Sequence, residues 1–313
     1  MFRSLLLVMC CAAACGRGKG VPDDKLGNLV IAPKSGGDAI DVDLAAKDPA
    51  ELGRALGAPV TMVQAALGAA TITIDTRNTV IENGKPVSGL TDKVTLELGE
   101  RGAYHGVYAN SADYGRETLF VGGKLYLRPR YQVWHERAPE TPDEPAALRE
   151  QYYDAIAATW ELVAFAAELS DRGPVLVGGR TGRKIEVKLA PGDHTAPAEH
   201  QSQRRWREGR TVDELAGEVV LDPDKGVPLT VKLAGTVAFM RDGRRFAMKV
   251  AVEAAVDKIG KPVALAAPAP ADVVATPERA KEVDDRDFLL RGIAPPLRQG
   301  DKDKPGDKTE AKP

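Results

Sequence analysis

Apolar and polar residues alternate with a period of two through most of the chain. Ile72 and Ile74 stand between Thr71, Thr73 and Asp75, and Val94, Leu96 and Leu98 enclose Thr95 and Glu97. Ile185, Val187 and Leu189 alternate with Lys184, Glu186 and Lys188, and Leu229, Val231 and Leu233 with Thr230 and Lys232. The longest run puts Phe246, Met248, Val250, Val252, Ala254 and Val256 on even positions, with Arg245, Lys249, Glu253 and Asp257 between them. Successive side chains of a strand point to opposite faces, so this pattern predicts strands with one face on a core and the other in water. Asn83-Gly84, Gly122-Gly123 and Asp242-Gly243 separate such runs; these residues accept the positive φ of a tight hairpin. The last of them makes residues 228–257 one long hairpin. Counting the runs gives about nine to eleven antiparallel strands.

The period changes in two places. Asp48-Pro49-Ala50-Glu51 is a helix start, with an N-cap, a proline in the first turn and an acid three residues after the cap. Gly57 ends that short helix, and a second runs from Pro59 to Leu67 before Gly68. From Glu144 to Leu169, the residues Leu148, Tyr152, Ala155, Ile156, Thr159, Val163, Ala166 and Leu169 fall at spacings of three and four, with Glu150, Asp154, Glu161 and Glu168 opposite. That spacing predicts one amphipathic helix of about 26 residues, roughly 39 Å long, stopped by Asp171-Arg172-Gly173-Pro174. A one-sided sheet needs its apolar face covered, and such a helix covers part of it. What it leaves is either filled by side chains or open as a cavity. The fold class is therefore α+β.

The amino terminus carries a different signal. Arg3 precedes the apolar run Leu5-Leu6-Leu7-Val8-Met9-Cys10-Cys11-Ala12-Ala13-Ala14, which matches a secretory signal and is about half the length needed to span a bilayer. Ala12-Ala13-Ala14-Cys15-Gly16 resembles the lipobox of bacterial lipoproteins. The resemblance implies removal of residues 1–14, a diacylglycerol on Cys15 and a membrane anchor. Gly16, where an aspartate would signal retention at the inner membrane, favours the outer membrane. Residues 15–38, rich in Gly, Pro, Lys and Asp, read as a tether; residues 39–294 as the sheet-and-helix domain; and residues 295–313, with alternating charges and no large apolar residue after Leu297, as a solvated tail. Cys10, Cys11 and Cys15 are the only cysteines, so the domain has no disulfide and depends on core burial.

Of 313 residues, 43% are hydrophobic and 28% charged, as in an ordinary soluble globular chain and unlike a disordered or multispan one. The net charge of −2 supplies no field to attract nucleic acid. His105, His135, His194 and His200 have no zinc-ligand spacing, and Asp222-Pro223-Asp224-Lys225-Gly226 lacks the register of a calcium loop. Gly178-Gly179-Arg180-Thr181-Gly182 resembles a phosphate loop only in composition, and no nucleophile elbow occurs. The expectation is a non-enzymatic protein without cofactor or metal. One stretch of about 26 residues between Leu189 and Gly217 is poor in apolar residues, and long loops of this kind often serve binding. It contains Arg204-Arg205-Trp206-Arg207-Glu208-Gly209-Arg210. Guanidiniums bind phosphate and carboxylate, and tryptophan favours a membrane interface. Arg204, Arg205, Trp206 and Arg207 are thus candidates for contacting anionic lipid headgroups, the alternative being a solvated loop with Trp206 tucked onto the sheet.

The order of elements, with short helices first, strands around a central helix and a long hairpin last, resembles the lipoprotein-carrier superfamily, which includes the Lol carriers and mycobacterial lipid-carrying lipoproteins. The resemblance spans about residues 45–267. Its best local piece runs from Gly217-Glu218-Val219-Val220-Leu221-Asp222 through Gly226-Val227-Pro228-Leu229 to Lys261-Pro262-Val263. It implies a curved half-barrel sheet with one long and one or two short helices on its concave face, and acyl chains held between. On that reading Tyr152, Ile156, Trp160 and Val163 of the helix and Phe246, Met248 and Val250 of the sheet line the ligand. The protein would be a periplasmic lipid or lipoprotein carrier. No position matches the arginine that gates release in the Lol carriers. The rival is a structural or interaction lipoprotein of the envelope with a filled core.

Overall fold

The computed structural model describes residues 39–196, 207–261 and 263–275. The signal segment, Cys15, the tether, the tail and Arg204, Arg205 and Trp206 lie outside them. The strands are β1 (Ala70–Glu82), β2 (Lys85–Leu98), β3 (Tyr104–Asn110), β4 (Gly115–Val121), β5 (Lys124–Pro129) and β6 (Trp134–Arg137), then β7 (Ala167–Val177), β8 (Arg180–Leu189), β9 (Thr211–Leu221), β10 (Pro228–Arg241), β11 (Arg244–Asp257) and β12 (Val273–Ala275). All twelve form one open, curved sheet in the order β12-β6-β5-β4-β3-β2-β1-β11-β10-β9-β8-β7. Every pairing is antiparallel except β12 with β6. Two meanders meet where β1 pairs with β11, and a helical crossover links β6 to β7.

The helices are α1 (Val42–Ala45), α2 (Pro49–Leu56), α3 (Val60–Leu67), α4 (Glu144–Glu150) and α5 (Ala155–Val163). They bury Leu52, Leu56, Val60, Val63, Ile156 and Val163 against Ile72, Ile74, Leu96, Val219, Val231 and Val252 of the sheet, all in one hydrophobic core. The sheet's core side chains are the alternating positions read from sequence. Asp48 caps α2, its Oδ1 accepting from Ala50 N at 2.9 Å. Glu51 makes no capping box: its carboxylate accepts from Asp41 N at 3.0 Å and Arg54 Nη1 at 2.6 Å, joining α1 to α2. The hairpins also follow the sequence. Asn83 and Gly84 lie at φ 51° and 75°, and Asp242 and Gly243 at 52° and 72°, the left-handed pair a two-residue turn requires.

The expected helix over 144–169 is a correction. It is broken at residues 151–154 and over by Val163; a 3-10 turn over Ala164–Ala166 leads into β7. The break lets Tyr152 and Tyr153, neighbours in sequence, both turn inward. Beyond it, Leu169 pairs with Val187 and the ladder with β8 continues to Val177, crossing Asp171 and Gly173 by a bulge. Long-range strand pairing there overrides a stretch of good helical propensity. Glu150 leaves the wet face as well, its Oε2 accepting from Val60 N at 2.8 Å and capping α3. The loop after β8 is shorter than the sequence implies, because β9 begins at Thr211.

The face opposite the helices carries a small second core. Leu119, Tyr126 and Trp134 are buried there, with Leu265 and Val273 of the returning carboxy-terminal segment packed on them. Beside it, His105 lies between Glu97 and Glu117, ring nitrogens 3.4 and 3.3 Å from their carboxylates, while Arg128 Nη2 donates to Glu117 Oε1 at 2.6 Å. The hydrogen bond to Glu117 raises the imidazole's pKa above its ordinary 6.5, with Glu97 assisting and burial opposing. The same contact lowers that of Glu117. A raised histidine contributes stability in full below its unfolded value and loses it as pH rises through the folded one. The stability difference between wild type and His105→Gln, measured by urea unfolding, should therefore shrink from about pH 5.5 to about pH 8. A difference independent of pH would show that the charged pairs contribute nothing.

Candidate functional site

The helices cover the sheet unevenly. Tyr152 stacks on the backbone of Gly106 and Trp160 on that of Gly53, where an added Cβ would sit 2.6 and 3.0 Å from the rings. At Gly235 an added Cβ would meet the backbone oxygen of Glu214 at 2.9 Å, with Val163 Cγ1 at an ordinary contact distance of 3.6 Å. Gly106 and Gly53 thus make notches that the two aromatic side chains fill. Tyr152 OH donates to Thr118 Oγ1 at 2.8 Å, and Trp160 Nε1 to Pro49 O at 3.1 Å. Burial pushes the Tyr152 phenol up to about 12. Of the residues expected to line a ligand, Tyr152, Ile156, Trp160, Val163 and Val250 are at most 3% exposed and packed in the core.

Phe246 and Met248 are placed differently. They lie on the same sheet face beyond the helices and are only half-buried. Register brings further residues to them. Phe246 pairs with Phe239 and Met248 with Val237 on β10; on β1, Met248 pairs with Val80. Leu90 pairs with Asn78, which pairs with Val250. The rings of Phe239 and Phe246 stack, with centroids 5.8 Å apart at 18°. Val80, Leu90, Phe239, Phe246 and Met248 therefore form a half-covered apolar strip across four strands, continuous with the core at Val250. At the hairpin tips Arg244 Nη1 donates to Glu82 Oε1 at 2.7 Å and its guanidinium lies 5.6 Å over Phe246. The other end is polar. Asp92 accepts from Tyr108 OH at 2.6 Å and from Thr76 Oγ1 at 3.0 Å, and Asn110 Nδ2 donates to Tyr108 OH at 3.1 Å. Burial, followed by Asp92, pushes Tyr108 up to about 12. The strip can hold an extended apolar chain, and its polar end offers hydroxyl and carboxylate groups to a head group.

Val80, Leu90 and Phe239 escaped the sequence reading. The signal was present for two of them. The odd positions of Leu229, Val231 and Leu233 continue to Phe239, and the even ones of Ile72 and Ile74 to Val80, each across a polar or glycine interruption. The arginine-rich run serves the fold where it is described. Arg210 donates to Leu162 O and Glu161 O at 3.2 and 3.1 Å, closing the carboxyl end of α5, and Arg207 Nη1 donates to Glu161 Oε2 at 3.2 Å. Among the described residues no three His, Cys, Asp or Glu side chains are grouped to hold a metal, and no helix is long and apolar enough to cross a membrane.

No protein-family model and no curated protein matches the chain. Solved structures with some likeness include the lipoprotein LppX of Mycobacterium tuberculosis, at 14% identity and TM-score 0.30 over 68% of this chain and 98% of that one. A DUF1329 family protein from Desulfovibrio piger aligns at 9% and 0.22 over 69% and 95%. A LolA superfamily protein from Nitrosomonas europaea aligns at 6% and 0.21 over 66% and 94%. At TM-scores of 0.30 and below, these likenesses carry no argument about what this chain binds.

Proposed function

We propose that this protein is an exported, non-enzymatic lipoprotein, anchored through Cys15 at the periplasmic side of the outer membrane, that carries an acyl chain of a lipid or lipoprotein on the helix-bearing face of its sheet. The observation behind this reading is the strip of Val80, Leu90, Phe239, Phe246 and Met248, half-buried and joined to the core at Val250. Covering such side chains contributes roughly 25 cal/mol for each Å² removed from water, which favours a greasy, extended occupant. Mass spectrometry of protein purified from membranes tests both parts: acyl mass on Cys15 and co-extracted acyl lipid are expected. Met248→Asp and Val80→Asp place a charge in the strip and should weaken binding of a fluorescent fatty acid about tenfold or more, read on protein whose circular dichroism shows it folded. Undiminished binding by both variants would remove the strip as the site.

The filled notches at Gly53 and Gly106 favour a second reading, an envelope interaction lipoprotein with no ligand under its helices. A preparation free of lipid but holding protein partners in fixed stoichiometry would favour it.

A further inference from the structure

The β1–β2 and β10–β11 hairpins run beyond the strands beside them. β3 ends at Asn110 opposite Asp92, so β2 continues past its neighbour from Leu90 to Lys85, roughly 20 Å of strand. Glu82 pairs with both Lys85 and Phe246, which sets the turns Asn83-Gly84 and Asp242-Gly243 side by side at one end of the sheet. These tips carry apolar side chains that the core does not take up: Val87 is 53% and Met240 59% exposed. They also carry cations. Lys85, Arg241, Arg244 and Arg245 stand with only Glu82 and Asp242 in residues 82–88 and 239–246, on a chain whose net charge is −2. Arg244 reaches Glu82 at 2.7 Å and Arg245 reaches Asp213 of β9 at 3.2 Å, while Arg241 and Asp242 are 3.9 Å apart. Even with Asp213 counted, four cations meet three acids. All three guanidiniums lie mostly in water, and exposed Lys85 has no ion-pair partner among the described residues.

We propose that the paired hairpin tips dock on the surface of an anionic phospholipid bilayer, with Val87 and Met240 entering the interface and Lys85, Arg241 and Arg244 meeting the phosphates. Long basic side chains lay their stems along apolar surface and keep their charges at the polar boundary. Each is drawn to a negative lipid surface within a Debye length of it. A partner that adds a strand is disfavoured. The free edge of β2 holds Pro86, which has no N–H to give, and a bulge at Val87, where the register shifts between Val80 and Ile81. A second copy would set like charge against like. An acidic polypeptide would meet the cations but gives Val87 and Met240 nothing apolar to enter. Docking here brings the stacked rings of Phe239 and Phe246, where the apolar strip begins, next to the bilayer. It does not require the strip to hold a lipid, since a chain that binds no fatty acid can still dock.

The test places one dye-labelled cysteine in the full chain, whose own cysteines are replaced by Cys10→Ser, Cys11→Ser and Cys15→Ser. The polarity-sensitive dye sits at Met240→Cys or, as control, at Leu176→Cys, an exposed apolar position at the opposite end of the sheet. With vesicles of phosphatidylcholine and phosphatidylglycerol, the dye at 240 should shift to the blue and be quenched by brominated acyl chains, and the dye at 176 should not. Phosphatidylcholine alone, or about 0.5 M salt, should reduce the shift. Lys85→Gln, Arg241→Gln and Arg244→Gln together should raise the lipid concentration at half-shift about tenfold or more. Val87→Asp keeps every cation and should also weaken docking; it decides the matter if the triple variant fails to fold. No shift at 240, an equal shift at 176, or an undiminished shift in phosphatidylcholine alone or in the folded variants would overturn the proposal. So would an equal shift with polyglutamate, which would assign the tips to an acidic protein.

Discussion

Trp160→Ala should destabilise the protein by about 3–5 kcal/mol, the range for emptying a buried aromatic site. The indole is 3% exposed. It packs on α2 where Gly53 leaves no Cβ, and its Nε1 hydrogen goes to Pro49 O. Removal opens a cavity between α5 and α2 and takes from that carbonyl the indole donor, leaving it the helical bond alone. Trp160→Phe keeps most of the contact and should cost less, with about 1 kcal/mol of the loss from the missing hydrogen bond. Urea unfolding measures both. A loss below about 1 kcal/mol for Trp160→Ala would mean that α5 is not held to α2 by this side chain.

Asp222→Ala should cost about 1.5–3 kcal/mol, the range for hydrogen bonds to a charged group, because it takes the acceptor from two turn amides and from a guanidinium that is a third exposed. Asp222 is 0% exposed at the end of β9. Its Oδ1 accepts from Asp224 N and Lys225 N at 3.1 and 2.9 Å, shaping the turn before β10, while Oδ2 holds Arg180 across from β8. One carboxylate thus ties the turn of one hairpin to the neighbouring strand. Arg180→Ala should destabilise as well, since it leaves the carboxylate buried without its cation. The pair can be read in a double-mutant cycle, where a coupling near zero would show the two losses to be independent.

The sheet was legible in the chain because its signal is local. Strands with one wet face must alternate, and the turn residues at Asn83-Gly84 and Asp242-Gly243 set which partners meet, so Phe246 and Val256 could be assigned to one face before any contact was known. The helix over 144–169 was misread because its spacing is periodic across a segment whose second half pairs with β8. Nothing near Leu169 in sequence announces Val187 as its partner. The candidate site was half legible. Phe246 and Met248 were recognised as apolar sheet positions, but their half-exposure depends on where α5 ends.

By itself, then, the sequence determined the fold class, the strand faces, the hairpin turns and the Asp48 cap of α2, because each depends on residues within a few positions of one another. The tertiary structure alone decided which apolar side chains fill glycine notches and which remain half-covered. It also decided which charged side chains are withdrawn from water, Asp222 among them. Burial and partner choice arise from segments far apart in the chain, here Gly106 with Tyr152 and Val60 with Glu150, and no local pattern records the distance between them.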